Sequence, residues 1–449
     1  MPGKFRVFLA LFSIWTMLVG SGLSARAENN TSEKKTYSLD SIYRSALDRS
    51  EKVGISEEEL YLAHLTRKKA FSVLMPELSA FGSYTRYELN NSTIDFITGP
   101  DSEKTWGLQL SQKFTLNGRE LIALKVTGES IEKSEYDLST VKEEFLLGVA
   151  SAYFDVLKTT KALDIAKANV ERLTTYKDSV AVKLDLEAVP KTDMFRAEAE
   201  LSNAKAELIS AENRLRYAKA VLSQLAGLNG DYTVSDIETQ TDPTEGREVS
   251  DLKEIAYNHR TELKALEKQQ TVAEDQIRYY RSAYWPTVSL AGNYSKTEQE
   301  PGSAFVFNNE NLSFGVTVNL PLIDGGLKRA QVGEAVSQKR EADLGYRSVK
   351  KQIELEVEQS YLSVISARSA LDALADQVTF AQSNYDAVLM QFRNGLSNSV
   401  DIMDANTVLV TAERQLSDAR YNYQLAIIKL NRSEGVFLSS LEDSGKLLK

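Results

Sequence analysis

"LSFGVTVNLPLIDGGLK", residues 312 to 328, changes from one periodicity to another within a single turn. Leu312, Phe314, Val316, Val318, Leu320 and Leu322 take the even positions, and Ser313, Gly315, Thr317 and Asn319 the odd ones between them. A period of two predicts a strand with one apolar and one wet face. The proline-free run from 327 to 394 that follows is rich in Ala, Glu, Lys, Leu and Gln, the composition of a long helix. At 1.5 Å per residue it would extend about 100 Å.

The same pattern recurs. In "TVSLAGNYSK" (287 to 296), Val288, Leu290, Gly292 and Tyr294 alternate with polar residues, and in "TWGLQLSQKF" (105 to 114), Trp106, Leu108, Leu110 and Phe114 do so. Strands are expected over 77–91, 105–116, 287–297 and 311–322. Pro76 and Pro286, Gly82 and Gly292, and Tyr84 and Tyr294 all lie 210 positions apart. Further on the offset is 208, pairing Gly118 with Gly326, Tyr153 with Tyr361, Asp193 with Asp401 and Gly227 with Gly435. Two copies in unbroken register mean a duplication rather than a solenoid.

Each half therefore reads as helix, two strands, long helix, helix. The first repeat is expected over 28–227, with long helix 119–186 and helix 191–227. The second is expected over 252–435, with long helix 327–394 and helix 399–433. Residues 228–251 form a polar connector and 436–449 a polar tail. In the second long helix, Leu371, Leu374, Val378, Ala381, Tyr385, Val388 and Phe392 alternate spacings of three and four, a coiled-coil seam. Helices 191–227 and 252–284 together match the length of one long helix, so that pair, stacked end to end, could run alongside it.

Composition narrows the chemistry. The 449 residues include eight prolines, two histidines and no cysteine, with a formal charge of −10. Lys4 and Arg6, the apolar run Val7 to Val19, and Ala25 and Ala27 predict a signal peptide over 1–27. Losing the three cations Lys4, Arg6 and Arg26 moves the charge to −13. Residue 28 is Glu, so the mature end offers no thiol for lipid. An acidic exported chain does not suit nucleic acid. His64 and His259 have no ligand-spaced partners, and neither a metal nor a cofactor is expected.

Alternation alone is shared by membrane strands and by a half-buried soluble sheet covered by helices. Trp106, Tyr84, Tyr294 and Trp285 lie on or beside the strands, where a membrane barrel carries aromatic girdles. Four strands cannot close a barrel in lipid, where an open edge leaves backbone groups unsatisfied, so several chains would have to share one.

The chain resembles the TolC-type outer-membrane efflux proteins. The resemblance rests on the duplication, on Pro76 and Pro286 between helix and strand, on the turns "FTLNGRE" and "LPLIDGGLK", and on "NGLSNSVDIMDAN". It implies a mainly α fold with a small β part. Long antiparallel coiled-coil helices form a periplasmic tunnel, and four strands per chain contribute to a shared twelve-stranded β-barrel of a homotrimer. Such a protein sits in the outer membrane of a Gram-negative bacterium, in contact with its lipid. It docks through a periplasmic adaptor onto an inner-membrane transporter, passes substrates from the periplasm or that transporter to the outside, in efflux or type I secretion, and is not an enzyme.

The resemblance places Asp401, Asp404 and Asp193 at a periplasmic aperture. Carboxylates crowded there would attract cations; Asp401 is equally suited to start the returning helix. It places Gly395, Leu396 and Ser397 at an adaptor-docking tip. The first repeat departs from it, with Glu187 opposite Gly395 and an added Pro190. Asn117 with Gly118, and Gly325 with Gly326, are expected to make tight strand-to-helix turns through positive φ. Two other readings stand beside it. An exported coiled-coil surface fibre would explain the heptads but not the strand pairs. An enzyme using the aspartate pair lacks a nucleophile motif.

Overall fold

A computed structural model describes residues 35–88, 100–237, 243–300 and 309–443. The expected signal peptide, the end of the first expected strand past residue 88, part of the connector and the last six residues lie outside them. The elements run β1 (Lys35–Tyr37), α1 (Leu39–Leu47), α2 (Glu51–Ser72), β2 (Glu77–Arg86), β3 (Ser102–Thr115), α3 (Arg119–Asp185) and α4 (Lys191–Ala226). After these come β4 (Tyr232–Val234), α5 (Val249–His259), α6 (Thr261–Arg281), β5 (Thr287–Glu300), β6 (Glu310–Asn319), α7 (Leu327–Arg393), α8 (Ser399–Ser433) and α9 (Phe437–Asp443).

Strands β2, β3, β5 and β6 form one antiparallel sheet in that order. Its last strand stops at Asn319 rather than 322, because Pro321 cannot donate to a ladder. In register across the sheet stand Leu78, Leu110, Gly292 and Phe314, and next to them Ala80, Leu108, Tyr294 and Leu312. The even positions thus fuse into one apolar face. Gly292 makes room on it, since a β-carbon there would stand 3.2 Å from the Phe314 ring.

The helices repeat the order of the sheet. Towards the sheet α2, α3, α6 and α7 lie side by side, and at the far end the neighbours are α4, α3, α8 and α7. The expected end-to-end pair, helix 191–227 with helix 252–284, is not the one that forms. Instead α4 meets the break between α1 and α2, where Ser45 Oγ donates to Ala226 O (2.7 Å) and Arg49 Nη1 to Gly227 O (3.0 Å). The end of α8 likewise meets the break between α5 and α6, where Arg260 Nη1 donates to Ser433 O (3.3 Å). Each arginine satisfies carbonyls that a helix C-terminus leaves open. Gly227 and Gly435 have φ of 63° and 75°, and a β-carbon on either would strike Arg49 or the Arg260 backbone.

Three buried clusters hold the helices. One surrounds α3 near its middle, where Leu146, Val149, Tyr153 and Phe154 are buried against α1, α4, α8 and α9. A second joins α5, α6, α7 and α8 around Leu263, Ile353 and Leu430. The third, near the α3–α4 and α7–α8 turns, contains Ala381, Tyr385 and Phe392 of the expected seam. The tail is not wholly polar: Phe437 and Leu441 are buried, Phe437 against the Tyr43 ring. Nor is the connector only a polar link, because β4 within it pairs in parallel with β1. Tyr153 Oη donates to Ser235 O (2.6 Å) and its repeat mate Tyr361 Oη to Arg247 O (3.4 Å), so both copies of that tyrosine hold the connector.

Candidate functional site

At the sheet, the apolar face is bare. Among the described residues, no helix lies over Leu78 (66% exposed), Leu312 (64%), Phe314 (80%) and Val316 (69%). A soluble half-buried sheet would have covered this face. Trp106 and Tyr294 meet edge to face with ring centroids 6.0 Å apart, and Lys104 Nζ lies 6.0 Å from the Tyr84 ring; Tyr84 and Trp106 lie towards the end away from the helices and Tyr294 at the middle of its strand. Trp285 stands at the helix end, nine residues before Tyr294 and so about 30 Å away along the strand at about 3.3 Å per residue. Tyr84, Trp106 and Tyr294 thus fall in three successive rows of the sheet and Trp285 at its helix end, with Val288, Leu290, Val316 and Val318 among the apolar positions between.

The strand-to-helix turns use glycine where the backbone is left-handed. Gly118 (φ 72°), Gly325 (φ 67°) and Gly326 (φ 89°) are so placed. Asn117 is not, which corrects the expectation for that residue: one left-handed position suffices in the first turn, and Gly118 supplies it. Asp324 caps the second turn by accepting from Gly326 N and Lys328 N, both at 3.0 Å. Those bonds and the Lys328 charge hold its carboxyl below the usual range.

At the opposite end α3 turns into α4 through residues 186–190 and α7 into α8 through 394–398. Gly395 has φ 75°; its N–H donates to Phe392 O (3.1 Å) and that of Leu396 to Gln391 O (2.8 Å), a paired helix-ending motif. Asn398 caps α8 by accepting from Val400 N and Asp401 N, and Asp401 Oδ2 accepts in return from Asn398 N (3.2 Å) and Ser397 Oγ (2.9 Å). Ser397 and Asp401 thus belong to one hydrogen-bonded turn. Leu396 is 79% exposed.

Asp404 is exposed one turn further on and makes no hydrogen bond or ion pair among the described residues. Asp193 lies in the first turn of α4, its charge facing the Tyr176 hydroxyl. Burial raises the pKa of that hydroxyl, which donates to Ser399 Oγ at 2.7 Å. This bond, the Lys183 ammonium donating to Phe392 O, and Asn406 Nδ2 donating to Asn169 Oδ1 (2.9 Å) join the two hairpins. So does the two-bond Arg172–Glu413 pair at 3.2 and 3.1 Å. All three acids therefore sit at one end of the molecule.

Near the middle, a buried charge cluster that sequence reading missed ties four helices. Arg260 is 3% exposed and donates to Glu262 (2.9 Å) and Glu356 (3.0 Å), and Arg432 bonds to the same two carboxylates. Glu143 beside them is buried, with Oε2 unpartnered; burial first, then the Glu262 charge, pushes its carboxyl up to about 7. The available signal was the repeated Arg-Ser-Glu at 49–51 and Arg-Thr-Glu at 260–262, 211 positions apart.

Residues 42–228 and 252–436 match the family described as outer membrane efflux protein. Outer membrane protein TolC of Escherichia coli (strain K12) is 25% identical over 437 residues, 93% of this chain and 85% of that protein. The alkaline protease secretion protein AprF of Pseudomonas aeruginosa is 21% identical over 302 residues, 66% and 62% of the two chains. Among solved structures, the Campylobacter jejuni CmeC outer membrane channel superposes with a TM-score of 0.79 at 17% identity, over 92% of this chain and 90% of that one. The Vibrio cholerae outer membrane protein VceC gives 0.75 at 18%, over 88% and 96%. With both halves of the duplication inside the match, this chain belongs to the outer membrane efflux protein family.

Proposed function

We propose that three copies of this outer-membrane chain close into one exit duct, with the sheets as a membrane barrel and the helices as a tunnel below. The observation that carries the reading is the uncovered apolar sheet face between two open edges. Edge strand β2 runs away from the helices and edge strand β6 towards them. Joining β6 of one copy to β2 of the next therefore keeps every pairing antiparallel, as a closed barrel needs. Lipid does not tolerate an open edge, so closure and membrane residence go together. Four strands from each of three chains give about twelve, wide enough for a lumen. The helical layers end on the same terms, with α7 at one edge and α2 or α4 at the other.

The tip is then the periplasmic mouth. Asp404, Asp401 and Asp193 of three copies line it as an acidic, cation-attracting ring. Exposed Leu396, with Gly395 and Ser397, offers the surface on which a periplasmic adaptor docks, and an inner-membrane transporter supplies substrate and energy. The chain itself needs no cofactor and performs no catalysis. Efflux and protein secretion both fit this duct.

The test is conductance. Signal-cleaved protein purified from outer membranes and added to a planar bilayer should give discrete, cation-preferring steps. Tight association with the bilayer without steps would contradict the duct.

A further inference from the structure

The layer where helices meet the sheet runs against the charge of the chain. The whole carries −10, yet residues 60–76, which end α2 and lead to β2, contain no Asp or Glu, and Arg67, Lys68 and Lys69 there are all exposed. At the matching end of α6, residues 276–297 again contain no acid, and Arg278 and Arg281 are exposed. Helix α7 opens with Lys328 and Arg329. Of the nearby acids, Asp324 accepts from Gly326 N and Lys328 N, Glu120 in the first turn of α3 accepts from Thr115 N, Glu274 and Asp275 pair with Arg278, and Glu77 is exposed at the start of β2. Lys68, Lys69, Arg281 and Arg329 have no ion-pair partner among the described residues.

Aromatic rings share the layer. Arg119 lies over Tyr279 at 4.2 Å and Lys328 over Tyr284 at 5.5 Å, while Trp285 is 55% exposed. Beyond them begins the bare apolar face. Cations, then amphipathic rings, then an apolar band is the profile of a chain seated in an interface with anionic headgroups. Zwitterionic lipid alone would need the rings and the band but not the charge. Three consecutive cations on α2 fan over about 200° at 3.6 residues per turn, so some face outward whichever side a neighbouring copy covers.

We propose that this basic collar binds the phosphate groups of anionic phospholipids in the leaflet adjoining the helices. The inference rests on the outer-membrane placement above. The collar acts as a local surface charge, screened by salt.

The test reconstitutes the full mature protein in nanodiscs of equal phosphatidylglycerol and phosphatidylcholine, re-extracts it in mild detergent and quantifies the lipid retained. Phosphatidylglycerol should exceed phosphatidylcholine by about fivefold, the ratio that about 1 kcal/mol gives. The preference should fall towards one at high salt and in the combined K68Q, K69Q, R281Q and R329Q variant, whose sites are exposed and unpaired. A ratio near one in the natural chain, or an undiminished preference in the variant, overturns the proposal. So does loss of the preference in excess inorganic phosphate with ionic strength matched by chloride, which would assign the collar to the free anion. Failure to insert into either lipid would instead count against the membrane placement, and the proposal would fall with it.

Discussion

Glu187 and Gly395, 208 residues apart, occupy the same left-handed position in two related turns, with φ of 54° and 75°. The hydrogen bonds match as well: Glu187 N donates to Leu184 O and Ala188 N to Lys183 O, as Gly395 N does to Phe392 O and Leu396 N to Gln391 O. Glu187 is the only non-glycine with positive φ among the described residues. A side chain in that region costs roughly 1 kcal/mol. Glu187→Gly should therefore raise the denaturation midpoint by an amount equivalent to about 1 kcal/mol, and Gly395→Ala should lower it similarly, since a β-carbon at 395 meets no neighbour. Equal midpoints for both variants would remove backbone strain from the account.

Arg49 and Arg260 end the stacked helices in the same way but at different depths. Arg260 is buried between two glutamates, so Arg260→Ala leaves Glu262 and Glu356 without that partner and should cost about 3–5 kcal/mol. Arg49 is exposed and holds one carbonyl, and Arg49→Ala should stay within about 0.5 kcal/mol. Chemical unfolding of the detergent-solubilised protein compares the two. Similar losses would mean that the buried cluster adds nothing to the cap.

Glu143 sets a pH dependence. Its carboxyl stands at about 7 in the fold against an ordinary 4.5, so the folded state holds its proton more tightly than the unfolded chain. The stability contributed by the neutral form is complete below about 4.5 and is lost as pH rises through about 7, roughly 3 kcal/mol in all. Glu143→Gln should flatten the stability profile between pH 5 and 8 (about the window of the shift) and be the more stable protein at its upper end. An unchanged slope in the variant would show that another group controls it.

The tip acids divide by their bonds. Asp401→Ala removes the acceptor for Asn398 N and Ser397 Oγ and should destabilise the start of α8 by about 1 kcal/mol. Asp404→Ala should leave stability unchanged while lowering the cation preference of bilayer conductance. If Asp404→Ala conducts with unaltered selectivity, the acidic ring does not line the mouth.

The strand pairs and long helices were legible because their periodicities persist for ten residues or more, as from Leu312 to Leu322 and along the seam that buries Tyr385 and Phe392. The β1–β4 pairing was not, because Lys35–Tyr37 and Tyr232–Val234 are three residues each, too short to show a period. The break at Arg260 was hidden between two helix-forming stretches, and only its backbone, at φ −59° and ψ 120°, leaves the helix. At the tip, residue types indicated acids and a glycine. Position also suited Asp401 to start α8, as its capping box shows, but did not reveal the hydrogen bond from Ser397 Oγ that fixes its carboxylate, since that depends on the path of the turn. Helix α9 went unread because three apolar residues in seven, Phe437, Leu438 and Leu441, are too few to mark an amphipathic face until Tyr43 is beside them.

The most direct test of the shared barrel is the detergent-corrected mass of the protein extracted from outer membranes. A shared barrel predicts a detergent-dependent particle of three chains, close to three times the 50.0 kDa chain less the expected signal peptide. A water-soluble monomer or dimer would contradict it.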